Sequence, residues 1–283
     1  MTHTQKQEGR GSVIAITSGK GGVGKTNVVI NLAAALARRG YRVGILDADF
    51  GLGNIDVMLG LAPVHHLGHF LNGSKRLEDI IIEGPLGIRI LPASSGFREL
   101  TNLTPAQWRR VGSAIRRMSS ELDFLFVDTA AGISDNVVEL LRLVDRTIVV
   151  TSFDPAAIVD AYAMIKILTT VNPTREVGVV VSSARDTDEA GLVFRQLDLA
   201  ATRFLERSLR YAGSIVFDPA IRESILVQRP VVDHQPQAPA SRCFRILASR
   251  LAGMSNNGPG KGIALAVGHR PEEEPVVEET QCA

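Results

Sequence analysis

The segment with the clearest chemical signature is the glycine-rich run at residues 19–26, which reads GKGGVGKT. It follows the pattern G-x-x-x-x-G-K-[ST], with Gly19, Gly24, Lys25 and Thr26 at the fixed positions. In such loops the backbone N–H groups turn toward phosphate oxygens, the lysine contacts the β- and γ-phosphates, and the hydroxyl contacts Mg²⁺. We therefore predict a nucleotide phosphate site in preference to a glycine-rich surface turn.

The elements on either side of this loop suit that role. The apolar run VIAIT precedes it, and the segment NVVINLAAALARR follows it. Val28, Leu32 and Leu36 form one helical stripe that ends at Gly40, a residue type that commonly ends helices. A strand followed by a helix would place the loop at the positive end of the helix, where anions bind.

Two other predicted strands end in carboxylates. The run YRVGILDAD ends with Asp47 and Asp49, and LDFLFVDTAAG carries Asp128 at the end of its apolar part. Ligands of α/β sheets bind at the carboxyl ends of parallel strands, and Mg²⁺ prefers carboxylate oxygens. Asp128 is thus a predicted magnesium ligand, while Asp47 and Asp49 are either catalytic or simple strand-ending acids.

Across the chain, short β-branched runs alternate with longer segments of helical period. This alternation predicts a doubly wound α/β fold, with a mostly parallel β-sheet and helices on both faces. Asp154 and Pro155 predict a helix start, and closing helices are expected at residues 219–228 and 241–251. Strands are predicted at residues 13–17, 42–46, 88–91, 124–127, 147–150, 177–181 and 214–217.

The composition argues against several classes of protein. The 283 residues are 45% hydrophobic, and 31 basic against 30 acidic side chains produce no field that would recruit nucleic acid. The two cysteines form no C-x-x-C pair, which disfavours disulfide, zinc and iron–sulfur frameworks. With no signal-peptide pattern or membrane-length apolar run, a cytoplasmic location is expected. We expect a flexible N-terminus at residues 1–11, one domain at 12–253 and a disordered Gly/Pro/Glu-rich tail at 254–283.

The loop KGGVGKT resembles the deviant Walker A motif of the MinD/ParA family of P-loop NTPases. Within that family, ILDADFGLGNIDVMLGL and the later EGPLGIRILPASSG and DPAIRE…RPVV phrases resemble the flagellar-number regulator branch called FlhG or FleN. The resemblance covers about residues 12–251. It implies an ATP- and Mg²⁺-dependent hydrolase with slow intrinsic turnover that acts as a dimerising switch.

Residue roles carry over at the matching positions. Lys20 would reach the nucleotide of a partner subunit, Asp49 would orient the attacking water, and Asp47 would lie near the magnesium shell beside Thr26 and Asp128. The Gly132 N–H would contact the γ-phosphate. The remaining expected nucleotide contacts are Gly19, Gly21, Gly22, Val23, Gly24, Lys25 and Asn27 in the loop, and Ser182, Asp218 and Pro219 near the base.

The same resemblance implies partners. These are a second copy of the chain and a signal-recognition-type GTPase, a flagellar basal-body protein or a transcription regulator. The branch begins with a DQA..LR segment, which the first twelve residues here do not contain. The alternative function is a ParA-type segregation ATPase that binds DNA. Metal-cluster carriers of the superfamily are disfavoured because paired cysteines are absent from the sequence.

Three other features favour structural interpretations. His65, His66 and His69 suit a surface loop better than a metal site, because no acidic or cysteine cluster completes a ligand set. Helical spacing predicts that one apolar set packs on the sheet: Phe244, Leu247 and Leu251. Six arginines are expected to form a solvated helix face rather than a DNA-binding patch: Arg203, Arg207, Arg210, Arg242, Arg245 and Arg250.

The segment near the C-terminus predicts weak, dimer-dependent membrane association at most. Ile263, Leu265 and Val267 are flanked by glycines and followed by five glutamates that an anionic leaflet repels. The protein could therefore be peripheral at the inner face of the cell membrane.

Overall fold

Parallel strands form the centre of the computed structural model, which describes residues 10–93 and 103–256. Within these residues the sheet has eight strands, in the order β3-β4-β2-β5-β1-β6-β7-β8. The strands are β1 (Ser12–Ser18), β2 (Val43–Ala48), β3 (Ile82–Glu83), β4 (Arg89–Leu91), β5 (Phe124–Ala131), β6 (Arg146–Thr151), β7 (Val177–Ala184) and β8 (Arg210–Val216). Every pairing is parallel except that between β3 and β4, which confirms the predicted fold class.

Helices cover both faces of this sheet. They are α1 (Lys25–Ala37), α2 (Ile55–Met58), α3 (Leu67–Leu71), α4 (Pro105–Glu121), α5 (Asp135–Arg142), α6 (Pro155–Val171), α7 (Thr187–Leu205), α8 (Pro219–Leu226), α9 (Val231–His234) and α10 (Pro239–Asn256). One apolar core joins the sheet to α3, α4, α5, α6 and α7, and the other joins it to α1, α2, α8, α9 and α10. The alternating strand residues supply both cores, because successive side chains point to opposite faces.

All seven predicted strands are present, but β5 and β7 continue past their predicted ends, to Ala131 and Ala184. Strand β8 begins at Arg210, four residues before the predicted start, because Ala212 and Gly213 interrupt the β-branched pattern. Pairing to β7 continues past them through a register shift between Tyr211 and Gly213. The two-residue strand β3 was not predicted, since it is too short to show a period. Helix α1 stops before Gly40, whose φ of +85° suits glycine.

The folded part of the chain extends beyond the predicted boundaries. Gly11 is buried and its N–H donates to the Ser119 carbonyl over 2.8 Å, so residues 10 and 11 are anchored. At the other end α10 continues to Asn256. Residues 1–9 and 257–283, which include the predicted membrane segment, lie outside the described residues.

The apolar residues of α10 pack on the sheet as predicted. Phe244, Leu247 and Leu251 are all buried. The arginines do not form a helix face as predicted, because α7 ends at Leu205 and leaves Arg207 in a loop and Arg210 on β8.

Two of the three neighbouring histidines have a local role at the start of α3. The His66 ring accepts the Gly68 N–H over 3.2 Å, and the His69 ring accepts the His66 N–H over 3.3 Å. These contacts cap a short helix whose first N–H groups lack helical partners.

Candidate active site

The glycine-rich loop lies between β1 and α1, at the carboxyl edge of the central strand. Gly22 and Gly24 have φ values of +79° and +89°, which residues with side chains rarely adopt. Gly24 also forms the cap of α1. The loop therefore turns at the positive end of α1, the geometry that binds phosphate oxygens.

Gly19 is required for a different reason. A Cβ atom at this position would lie 2.1 Å from the Asp160 carbonyl oxygen of α6. The first turn of the loop thus passes directly against a helix, and only glycine permits that approach.

A buried ion pair lies beneath the loop. The Lys25 ammonium is 2.5 Å from an Asp128 carboxylate oxygen, and the two residues are 8% and 1% exposed. Burial raises the pKa of Asp128, while the charge and hydrogen bond of Lys25 and a hydrogen bond to Thr26 lower it. Three of the predicted phosphate and magnesium residues therefore converge, and each carries a charge or hydroxyl suited to Mg²⁺ and phosphate.

Asp47 lies beside this pair on the neighbouring strand, in register with Asp128. Its carboxylate accepts the N–H groups of Asp49 over 3.2 Å and Ile55 over 3.3 Å, so it fixes the loop that follows β2. Burial and the nearby Asp128 raise its pKa to about 8. Asp47 thus positions the loop that carries Asp49, in addition to its predicted place near magnesium.

This raised pKa predicts how stability depends on pH when nucleotide and Mg²⁺ are absent. Between the ordinary value of 3.8 and about 8, the unfolded chain has an ionised Asp47 while the folded protein keeps it protonated. The unfolded state then binds fewer protons, so the free energy of unfolding should fall as the pH rises through this window.

Urea denaturation in a chelator between about pH 5 and about pH 8 measures that dependence. Asp47→Asn, which cannot titrate, should reduce the slope, with Asp128 accounting for part of the remainder. Equal slopes for the two proteins would contradict the assignment to Asp47.

Asp49 is half-buried at the start of the loop after β2. Its carboxylate accepts the Leu52 N–H over 3.3 Å, and its charge raises the pKa of Asp128. The carboxylate is therefore close enough to the Lys25–Asp128 pair to act at the same site, but it lies outside the glycine-rich loop.

Lys20 forms an ion pair within its own chain. Its ammonium contacts the carboxylate of Asp154, which also caps α6 by accepting the Ala156 N–H over 2.9 Å. Both side chains remain partly exposed, at 37% and 43%. The predicted contact to a partner subunit therefore requires this pair to open.

Gly132 is also engaged in the described conformation. Its φ is +85°, and its N–H donates to the Ser18 carbonyl over 2.9 Å. The predicted contact to a γ-phosphate requires this bond to break, and it would link phosphate binding to the end of β1.

Asn27 connects the loop helix to α9. Its side-chain oxygen accepts from the Asn31 amide over 3.0 Å, and the buried Asn31 oxygen accepts the Val232 N–H over 3.3 Å. Asn27 thus helps to hold α1 against α9, whatever else it contacts.

Two of the three predicted base-contacting residues, Asp218 and Pro219, have structural roles here. Ser182 is 6% exposed, and its hydroxyl oxygen lies 3.1 Å from where a Cβ of Gly24 would be. The Asp218 carboxylate accepts the N–H of Ala220 over 3.0 Å and of Ala240 over 2.9 Å, while Pro219 begins α8. The contacts of these residues to a base remain a prediction.

Sequence reasoning identified Asp154 as a helix cap but missed its pairing with Lys20. The pairing depends on the strand order, because β6 ends just before Asp154 and lies next to β1, which ends just before Lys20. Neighbouring parallel strands bring their following loops together at one edge.

Comparisons with known proteins agree with this geometry. The ParA family profile, described as NUBPL iron-transfer P-loop NTPase, matches residues 10–252. The antiactivator FleN of Pseudomonas aeruginosa is 42% identical over 239 residues, which is 84% of this chain and 85% of that protein. The flagellum site-determining protein YlxH of Helicobacter pylori is 36% identical over 209 residues, 74% of this chain and 70% of that one.

Solved structures give the same result. The septum site-determining protein MinD of Pyrococcus horikoshii, complexed with Mg-ADP, has a TM-score of 0.73 at 25% identity, covering 86% of this chain and 98% of that chain.

None of the helices in the described residues is both long enough and apolar enough to cross a bilayer.

Proposed function

Because this chain belongs to the ParA/MinD family of P-loop NTPases, we propose that it is a Mg²⁺-dependent ATPase that forms a homodimer when ATP is bound. In this proposal hydrolysis returns the dimer to monomers, and the change of state regulates the number or placement of flagella. The convergence of Lys25, Thr26 and Asp128 beneath the loop, with Asp49 beside them, carries the proposal.

These residues fit a magnesium–nucleotide complex. Mg²⁺ is commonly held by one or two carboxylates together with phosphate oxygens and waters. Thr26 and Asp128, with Asp47 close to them, would supply its protein ligands. Bound Mg²⁺ would neutralise charge on the β- and γ-phosphates.

Lys25 has two successive partners in this scheme. Without nucleotide its charge is compensated by Asp128, which is nearly inaccessible to solvent. When ATP binds, Lys25 would turn to the β- and γ-phosphates, and Asp128 would be released toward the metal. The exchange keeps both buried charges paired, which avoids the cost of an isolated buried ion.

Hydrolysis needs positioned charge around an in-line water attack. Asp49 would accept a hydrogen bond from the attacking water and orient it. Lys20 from the partner subunit would stabilise charge that develops on the phosphate oxygens, as a cationic group supplied in trans does in related reactions.

The edge that carries this site also exposes apolar side chains suited to a second copy. Leu52, Ile133, Phe153 and Phe217 follow β2, β5, β6 and β8, and their exposures are 75%, 50%, 56% and 72%. Large exposed apolar groups around a polar site are typical of protein interfaces. A face-to-face dimer would cover them and bring Lys20 to the other nucleotide.

The flagellar role rests on the named relatives. FleN is an antiactivator, and YlxH is a flagellum site-determining protein. Among the expected partner classes, the name of FleN favours a transcription regulator. The name of YlxH fits a signal-recognition-type GTPase or a basal-body protein. The protein would act in the cytoplasm, with weak membrane association at most. Iron transfer is not proposed, because the sequence has two cysteines and they are far apart.

Two variants of the Lys20–Asp154 pair test the dimer. Lys20→Ala should bind ATP normally but fail to dimerise, because its target lies on the other subunit. Asp154→Asn should keep the α6 cap while freeing Lys20, and so lower the protein concentration needed for the ATP-bound dimer by about twofold to fivefold.

Light scattering over a protein dilution series measures both effects, and Lys166→Ala on the exposed side of α6 is the matched lysine control. An undiminished ATP-dependent dimer for Lys20→Ala would refute the trans role of that lysine.

A further inference from the structure

A cavity lies at the opposite edge of the sheet from the glycine-rich loop. Its volume is about 170 Å³, and it lies between α10 and the amino-terminal ends of β6, β7 and β8. Apolar side chains from β1, β6 and α10 form much of its wall, among them Ile14, Ile148, Leu247, Leu251 and Met254. None of the residues assigned to nucleotide binding lines it.

Charged groups at the cavity are mostly cationic. Three arginines and one glutamate line it, which leaves two net positive charges (3 − 1). Arg210 pairs with Glu176 over 3.0 Å, and Arg250 donates to the Ala212 carbonyl over 2.7 Å. Within residues 10–93 and 103–256, an acidic partner is therefore present for only one of the three.

The guanidinium group of Arg146 has one buried donor without an acceptor in the described part of the chain. Its Nη2 donates to the Met254 carbonyl over 3.2 Å, but its Nη1 is buried and has no hydrogen-bond partner among the described residues. A buried cationic N–H without an acceptor is costly, and a carboxylate is the acceptor that a guanidinium group binds best. The guanidinium group would turn toward the cavity to present this donor, and an anion there would accept from it and neutralise part of the excess charge.

We propose that this cavity binds a small amphipathic monocarboxylate, with its carboxylate on Arg146 and its apolar body against α10. A cavity of about 150 Å³ accommodates benzene, so this one suits an apolar body of about six to eight carbon atoms. The apolar wall explains why an inorganic anion would be a poorer ligand. A neutral alcohol would leave the arginine charge unpaired.

Octanoate is the test probe, and the full chain labelled at its methionine methyl groups is the sample. Octanoate should shift the NMR signal of Met254 while leaving Met58, Met118 and Met164 unchanged. The same concentration of octylammonium should shift nothing, and 1-octanol should bind at least about tenfold more weakly than octanoate. Equal binding of octanol and octanoate, or an unmoved Met254 signal, would overturn the proposal.

Arg146→Gln supplies the second measurement. It should weaken octanoate binding by about tenfold or more, whereas Arg142→Gln, an exposed arginine of α5, should leave it unchanged. Undiminished octanoate affinity in Arg146→Gln would also refute the assignment. ATP affinity should be the same with and without saturating octanoate. The octanoate result therefore does not depend on whether the proposed ATPase activity is correct.

Discussion

Replacing Lys25 by methionine is expected to lower ATP affinity by at least about 100-fold. The Lys25 ammonium is the buried cation at the base of the loop, and it would form charge-assisted hydrogen bonds to two phosphates. Each such bond contributes about 1.5–3 kcal/mol, and about 1.4 kcal/mol is tenfold in affinity. Equilibrium titration with a fluorescent ATP analogue measures the change.

The same substitution leaves the buried Asp128 without its cation. Breaking a buried ion pair costs about 3–5 kcal/mol, so loss of binding has to be separated from loss of structure. The double variant Lys25→Met with Asp128→Asn should recover stability in urea but not ATP binding. Lys166→Met should behave like the wild type in both measurements. If folded Lys25→Met bound ATP within twofold of the wild-type affinity, the assignment of the phosphate site would be contradicted.

Asp49→Asn is expected to slow ATP turnover by about 10²–10⁴-fold while ATP and Mg²⁺ still bind. The substitution keeps an acceptor for the Leu52 N–H but removes the charge that orients the attacking water. The variant should therefore accumulate as the ATP-bound dimer. Phosphate release measures turnover, and light scattering on the same sample measures the dimer.

Asp56→Asn is the matched control for Asp49. Asp56 lies in α2 on the same segment, and in the described part of the chain its carboxylate accepts one local N–H, that of Val57 over 2.8 Å. This variant should hydrolyse ATP at the wild-type rate. Wild-type turnover in Asp49→Asn would show that a different group orients the water.

Most of the fold and the centre of the site could be predicted from the sequence. Strand runs such as residues 124–127 are buried on both faces and therefore read as continuous apolar segments. The loop is visible because the spacing of Gly19, Gly24 and Lys25 is a local property of the chain. Asp47 and Asp128 follow from their place at the carboxyl ends of apolar runs.

What the sequence did not predict depends on which distant segments meet. Lys20 and Asp154 are 134 positions apart, and only the adjacency of β1 and β6 brings them together. The bond from Gly132 to Ser18 likewise depends on the pairing of β5 with β1. The arginine-lined cavity is assembled from β6, β8 and α10, so no short motif marks it.

The dimer switch is tested most directly by the mass of the wild-type protein in two nucleotide states. Light scattering with Mg²⁺ and a nonhydrolysable ATP analogue should give twice the monomer mass, and the same protein with ADP should give the monomer mass. Equal masses in the two states, with nucleotide binding verified in both samples, would contradict an ATP-dependent homodimer.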